Sequence, residues 1–297
     1  MGSLLANAAK QLRKAGPNCR LSPLVFMTDP NRSKGRTENT AEVVRRLPKS
    51  CAVIYRHFGT PDQAQLLRDI TREQGRQFLI GNDPELADAI GADGVHFSRD
   101  AALSGPITWR AKHPDWIITM AGLKEGAYLA PLDSLDALFI SSVFPSRSPS
   151  AGKPIGVTGL ERRSAALPVP IFALGGIDAA TAPQLFGSGI SGLAAIEGLI
   201  MDIEKQTTDN GHRFVLKTSD GEAELTLAKV KPQNGKTVFN ANRTFTPDFL
   251  RGQGVAGKLY AAMVADAKTE GYKIIPGCSY VEVKFNRHPE DAVAVGV

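Results

Sequence analysis

Cysteine is scarce in this chain. Cys19, Cys51 and Cys278 are its three cysteines, far apart and without a Cys-x-x-Cys spacing. That scarcity excludes a disulfide framework and a cysteine-built zinc site, and it suits a reducing compartment. Charge of one sign is also lacking. The net charge is +5, from 35 Lys and Arg against 30 Asp and Glu, spread evenly with no basic run longer than two residues. The electrostatic footprint of a nucleic-acid or membrane-surface partner is therefore missing, and the mild positive excess suits anionic small molecules. No long apolar run opens the chain, so neither a signal peptide nor a membrane span is expected, and a cytoplasmic location is. No early glycine-rich turn introduces a first βα unit, which argues against a doubly wound dinucleotide fold.

What is present is core-forming material. Hydrophobic residues make up 42% of 297 positions, enough for one large α/β domain and a smaller one. The stretch Leu79 to Ser98 sets the pattern. A short apolar run ends at Gly81-Asn82-Asp83, helical spacing follows through Leu86, Ala87, Ala89 and Ile90, Gly91 stops it, and Gly94-Val95-His96-Phe97 reads as the next strand. Similar runs start at Leu24, Cys51, Trp116, Ala137, Val169 and Gly192, with helices expected at 37–47 and at 61–73, where Leu66, Leu67 and Ile70 point inward. Eight βα repeats in about 200 residues predict a (β/α)8 TIM barrel over residues 1–201. Residues 202–211 read as a polar linker. Residues 212–297 carry antiparallel strand alternation and then a helix, a small α+β domain.

Chemistry in such a barrel collects at the carboxyl ends of the strands. Arg56 can clamp a phosphate. Asp83 beside Asn82 offers a hard oxygen to Mg²⁺, though the residue taken alone reads first as a helix N-cap. His96 reads as a candidate or as a satisfied rim histidine. Ser146, Arg147 and Ser148 offer two hydroxyls and a cation to an anion, or form a solvated loop. Gly175 and Gly176, leading into an expected helix with Asp178 and Thr181, either cradle a phosphate with backbone N–H groups or make a tight turn.

These residues carry a resemblance. LVFMTDP, VIYRHF, FLIGND, GADGVHFS, VFPSRSPSAG and PVPIFALGGI stand in the order and spacing of the thiamine phosphate synthase / TenI superfamily, over residues 22–200. The resemblance implies an enzyme that condenses hydroxymethylpyrimidine diphosphate with thiazole phosphate, giving thiamine phosphate and pyrophosphate with Mg²⁺. It implies diphosphate binding by Arg56, catalysis with Asn82 and Asp83, and Mg²⁺ held by Asp83 and Asp100. Ser146, Ser148, Gly175 and Gly176 are then the thiazole phosphate site. Ile54, Phe58, Ala121, Pro149 and Glu197 depart from the family's glutamine, lysine, hydroxyl, lysine and serine, with Lys153 within reach of the lost lysine's place. A TenI-like thiazole tautomerase and a non-catalytic phosphate-ligand barrel stay open beside the synthase.

The second domain resembles the GNAT acetyltransferases, and within them a small YjdJ-type branch. Arg251-Gly252-Gln253-Gly254-Val255-Ala256-Gly257 leads into a helix, and Pro276 to Val281 and Arg287-His288-Pro289-Glu290 follow. The resemblance implies acetyl-CoA held at Arg251, Gly252, Gly254, Ala256 and Gly257, with N-acetyltransferase activity as the alternative function of the chain. Arg243 stands where that branch has histidine. Cys278 is either near the acetyl thioester or a small buried hydrophobe. The partners implied are phosphorylated pyrimidine and thiazole substrates and coenzyme A, and an oligomer is compatible with the sequence.

Overall fold

The structure is a computed structural model that describes residues 2–29, 39–101, 104–122, 132–146, 148, 151–200, 203–218, 221–232, 235–252 and 254–291. They fall into two compact units that divide after Ile200.

The first unit is a closed barrel of eight parallel strands. In order they are β1 (Leu24–Met27), β2 (Cys51–Tyr55), β3 (Phe78–Gly81), β4 (Gly94–Phe97), β5 (Ile117–Ala121), β6 (Ala137–Ile140), β7 (Ile171–Ala173) and β8 (Gly192–Ala195). Leu24 to Phe26 pair with Cys51 to Val53 on one side and with Leu193 to Ala195 on the other, which closes the ring. A parallel barrel strand is covered on both faces, so its sequence is continuously apolar rather than alternating. One set of side chains fills the interior, among them Val25, Met27, Ile54, Leu79, Phe139 and Phe172. The other set, such as Phe26, Val53, Phe78 and Ile80, meets the surrounding helices.

Those helices are α1 (Gly2–Ala15), α2 (Thr40–Arg46), α3 (Ala64–Glu73), α4 (Pro84–Ala89), α5 (Ser104–Lys112) and α6 (Gly156–Ala166). Asn39 and Glu42 form a reciprocal capping box that starts α2. On α3 Leu67 and Ile70 are buried as expected, but Leu66 is exposed, because it falls off the stripe that faces the sheet. After β7 the expected helix is only a 3₁₀ turn, Ala182–Leu185, and β8 is followed by another, Glu197–Leu199. The outer surface at that point is covered by α1, which packs on β8, β1 and the Ala182–Leu185 turn through Leu5, Ala9 and Leu12. Arg13 locks it in place. Its guanidinium donates to the carbonyls of Ser191 at 2.9 Å, Cys19 at 2.8 Å and Leu21 at 2.7 Å. An Arg13→Ala variant leaves three carbonyls without this donor and is expected to destabilise the unit by about 3 kcal/mol, read as a lowered urea midpoint.

The second unit is a five-stranded sheet in the order β13-β12-β11-β10-β9. The strands are β9 (Glu204–Thr208), β10 (Gly211–Thr218), β11 (Gly221–Lys229), β12 (Val238–Phe245) and β13 (Lys273–Ile275). The stretch expected to be a linker, 202–211, thus contains strand β9, paired antiparallel with β10 from Gly211↔Thr208 to Val215↔Glu204. Helix α7 (Val255–Glu270) lies on β10 and β11 and buries Leu259, Met263, Val264 and Ala267, the face expected from sequence. Helix α8 (Ser279–Arg287) packs on β12. β13 pairs parallel with Val238 to Asn240 only, so β12 continues to Phe245 beyond its partner.

Candidate active site

A cleft of about 600 Å³ opens at the carboxyl ends of the barrel strands. Most of the expected barrel residues can be placed in it or beside it. Arg56, Asn82, Asp83, Asp100, Ser146, Ser148 and Gly175 line it, brought from the ends of β2, β3, β4, β6 and β7. A smaller recess of about 310 Å³ adjoins it, shares Ser146, Leu174, Gly175 and Ile196, and adds Gly176. Arg147 and Pro149 lie outside the described residues, and Lys153 is exposed and lines neither space.

Arg56 is aimed by β1. Its Nε donates to the Thr28 carbonyl at 2.9 Å, its backbone N–H to Thr28 Oγ1 at 2.9 Å, and an Nη lies 3.4 Å from Asp29 Oδ2. The guanidinium also lies 5.3 Å from the centre of the Phe58 ring. Phe58 is 60% exposed and has φ of +48°, a conformation bulky residues rarely adopt. The neighbouring departure, Ile54, is fully buried in the barrel interior and does not reach the cleft.

Asn82 turns the chain with φ of +57°, and its Oδ1 accepts from the Ser98 N–H at 2.6 Å, tying the β3 loop to the β4 loop. Asp83 is the helix N-cap that its sequence allowed, and its two oxygens have different neighbours. Oδ1 caps α4 by accepting from the Leu86 N–H at 2.9 Å. Oδ2 lies 3.2 Å from His57 Nε2, close enough for Coulombic attraction but poorly aligned for a hydrogen bond. His57 Nδ1 accepts from the Gly59 N–H at 3.1 Å, so a neutral His57 carries its proton on Nε2, toward Asp83.

His96 is a satisfied histidine at the cleft floor. Its Nδ1 is 2.9 Å from Thr119 Oγ1 and its ring meets the edge of Phe139 at 5.0 Å. Burial, and secondarily the Arg56 charge, pushes its pKa from 6.5 down to about 3. Between those values the unfolded chain takes up a proton that the folded barrel refuses. Stability from this group is therefore complete above about pH 6.5 and declines as the pH falls toward 3. In urea denaturation the decline over that window is expected to be smaller in His96→Gln than in the parent; equal slopes would refute the assignment.

Among the described residues no group of three or more His, Cys, Asp or Glu side chains comes together as a metal cage. Mg²⁺ does not demand one, because it keeps waters and is held by one or two carboxylates together with substrate phosphates. Asp83 and Asp100 line the same cleft and fit that donor set. Gly175 and Gly176, at φ of +92° and +68°, are required by close packing. A Cβ on Gly176 would lie 2.5 Å from the Pro145 carbonyl oxygen, and one on Gly175 would lie 2.8 Å from Ser142 Cα. Their turn is held by Thr181, whose hydroxyl donates to the Gly176 carbonyl at 2.8 Å. The Gly176 N–H makes no hydrogen bond to the described residues. His57, Ser98, Arg99 and Ser142 also line the cleft and were not singled out from sequence. Adjacency to Arg56 and to the end of β4 was the available signal for the first three.

In the second unit the turn before α7 is open. Gly252 and Gly254 have φ of +74° and +75°, and Gly254 is the N-cap, so the first-turn N–H groups of Val255, Ala256 and Gly257 precede any intrahelical partner. Arg251 is exposed and pairs with Asp248 at 2.9 Å. Cys278 is half-buried with its Sγ 3.3 Å from Thr244 Oγ1, and Tyr280 Oη is 3.8 Å from a Cβ placed on Gly257. Arg243 is engaged with Glu224 at 3.4 Å and with the Phe245 ring at 5.3 Å.

A family model described as thiamine monophosphate synthase matches residues 24–199, the whole barrel. The chain belongs to the thiamine monophosphate synthase family. A second model, GCN5-related N-acetyl-transferase, matches residues 213–294. Thiamine-phosphate synthase of Moorella thermoacetica is 32% identical over 136 residues, covering 45% of this chain and 64% of that protein. That of Chloroflexus aurantiacus is 28% identical over 183 residues, covering 60% of this chain and 84% of that protein. The chain thus spans just under two thirds of the Moorella relative and most of the Chloroflexus one. Among solved structures, thiamine phosphate pyrophosphorylase from Pyrococcus furiosus aligns with a TM-score of 0.49 and 26% identity, over 63% of this chain and 87% of its own. The family barrel occupies the first unit, and the acetyltransferase-like sheet is an addition to it. Among the described residues no helix is long and apolar enough to cross a membrane.

Proposed function

We propose that the barrel joins hydroxymethylpyrimidine diphosphate to a thiazole phosphate, releasing pyrophosphate. One observation supports this above the rest. A single cleft in a barrel of this family collects two arginines, Arg56 and Arg99, two carboxylates, Asp83 and Asp100, and several serine hydroxyls from separate strand ends. The bond from the pyrimidine methylene to the diphosphate oxygen breaks, and its electron pair leaves with the diphosphate. The thiazole nitrogen lone pair forms the new bond to that methylene. Arg56, held by Thr28 and Asp29, faces the diphosphate and stabilises the charge it gains. Asp83 and Asp100 would hold Mg²⁺, which supplies further charge neutralisation at the leaving group. Phe139, Met27 and Ile196 give the heterocycles an apolar floor. Ser146, Ser148 and the Gly175–Gly176 turn face the thiazole's far end.

Asp83→Asn tests the reading cleanly, because asparagine caps a helix as well as aspartate does. With both substrates and Mg²⁺, the parent is expected to give thiamine phosphate by mass spectrometry and the variant roughly a hundredth of it or less. A folded parent that gives none refutes the synthase. The second unit is proposed to bind acetyl-CoA, its pyrophosphate against the Gly254–Gly257 turn and Arg251. Calorimetric titration of the full chain with coenzyme A tests this, with Arg251→Ala as the comparison.

A further inference from the structure

His57 is a buried donor that the proposed reaction leaves unused. Its side chain is 12% exposed, against 32% for Asp83, so the carboxylate, more than the ring, meets the open cleft. The ring is held from its other side. Nδ1 accepts from the Gly59 N–H at 3.1 Å, and the His57 carbonyl accepts from the Thr60 N–H and hydroxyl, both at 2.9 Å. The Tyr55 ring lies against it, 5.9 Å between centres. With Nδ1 accepting, the neutral ring carries its proton on Nε2. That atom is buried and has no hydrogen-bond partner among the described residues. A buried donor left unpaired is costly. What it faces, at 3.2 Å, is Asp83 Oδ2.

Asp83 has a use for such a donor. The Leu86 N–H anchors Oδ1 at 2.9 Å. One anchored oxygen leaves a carboxylate able to swivel, and a second anchor fixes its plane. An ionised carboxylate has about four lone-pair sites, so two anchors leave the rest for a cation. A neutral donor orients the group without cancelling the charge that attracts a metal, whereas Lys or Arg in its place would pair with that charge. Hydrogen bonds in an empty site are often long or misaligned and tighten when ligands bind.

We propose that His57 is a positioning residue for Mg²⁺: its Nε2–H donates to Asp83 Oδ2 once the cation and a diphosphate are in the cleft, and so fixes the ligating carboxylate. The proposal rests on the metal role given to Asp83 in the synthase reading, and it concerns binding, not turnover.

The experiment measures metal binding by the full chain. Mn²⁺, which takes the same oxygen ligands, is titrated in the presence of inorganic pyrophosphate and followed by electron paramagnetic resonance. Two variants are run beside the parent. His57→Phe keeps a ring and loses the donor. His57→Gln has an amide N–H that can stand in for Nε2–H. His57→Phe is expected to bind Mn²⁺ roughly tenfold to a hundredfold more weakly than the parent, and His57→Gln to stay near the parent. Equal binding by the parent and His57→Phe, or an equal loss in both variants, overturns the proposal. A second measurement needs only a parent that folds. The five histidines are labelled with nitrogen-15, and the His57 signal is the one missing from His57→Gln. It is expected to show the proton on Nε2, moving downfield when Mg²⁺ and pyrophosphate are added. A proton on Nδ1, or one that does not move, overturns the proposal even if His57→Phe fails to fold. A parent that binds no Mn²⁺ overturns it together with the metal role of Asp83. Mn²⁺ binding that follows the His57 series while no thiamine phosphate forms upholds the proposal, and the synthase reading then fails alone.

Discussion

An Arg56→Met variant is expected to lose two to three orders of magnitude in kcat/KM for condensation while its circular dichroism spectrum stays that of the parent. The reason lies in how the guanidinium is held. Nε is taken by the Thr28 carbonyl at 2.9 Å and one Nη is drawn to Asp29 at 3.4 Å, so the direction of the fork is fixed before any ligand arrives. A donor fixed in advance costs no reorganisation when charge develops, and methionine keeps the stem's volume while removing every donor. Arg56→Lys should recover little. An ammonium keeps the charge but has no Nε to hold to Thr28 and no planar pair of donors for a diphosphate. Steady-state kinetics of the three proteins with the thiazole phosphate decides it, and near-parent activity in a folded Arg56→Met would remove Arg56 from the site.

Gly94→Ala is expected to be the most damaging single methyl group in the barrel. A Cβ there would lie 2.0 Å from the Ile117 carbonyl oxygen and 2.7 Å from its carbonyl carbon and its nitrogen. Those are backbone atoms of the next strand, in register with Gly94 itself, and no rotamer change can move them. The strands must separate, at a cost above about 3 kcal/mol. For a unit of this size that is a fall of roughly 6–12 °C in Tm. His96 is two residues along the same strand, so the cleft floor shifts with it. Gly152→Ala is the control, since nothing lies within 4 Å of its added methyl. Calorimetric scans showing equal Tm for both variants would contradict the close approach of β4 and β5.

Much of this was legible in the chain, for identifiable reasons. A strand buried on both faces writes itself as an uninterrupted apolar run, so Cys51–Tyr55 and Ala137–Ile140 announced themselves. The polar residues that stop such runs are the ones at strand ends, which led to Arg56, Asn82, Asp83 and Ser146. β9 was read as a linker because Glu204–Thr208 is an edge strand with four of five residues exposed, so it carries no apolar alternation. The turn after β7 was read as a helix because its Asp178 and Thr181 do form an N-terminal cap arrangement. What cannot be read from the cap is that α1, from far earlier in the chain, already occupies the outer surface there. The pairing of His57 with Asp83 was hidden for the same reason, being set by the register of β2 against β3. Glu197 was visible as a departure, and only the fold shows that it lines the smaller recess.

The seat of α1 also fixes an order in time. Arg13 reaches Ser191, 178 residues further along the chain. At ribosomal speeds of about 5–20 residues per second, roughly 10–40 s separate the emergence of the two. During that interval Leu5, Ala9 and Leu12 have no β8 to cover. The ring and its clasp are then completed together, when β8 arrives. Until that moment the nascent barrel has two open strand edges and an unseated apolar helix, the features by which growing chains attract one another and chaperones.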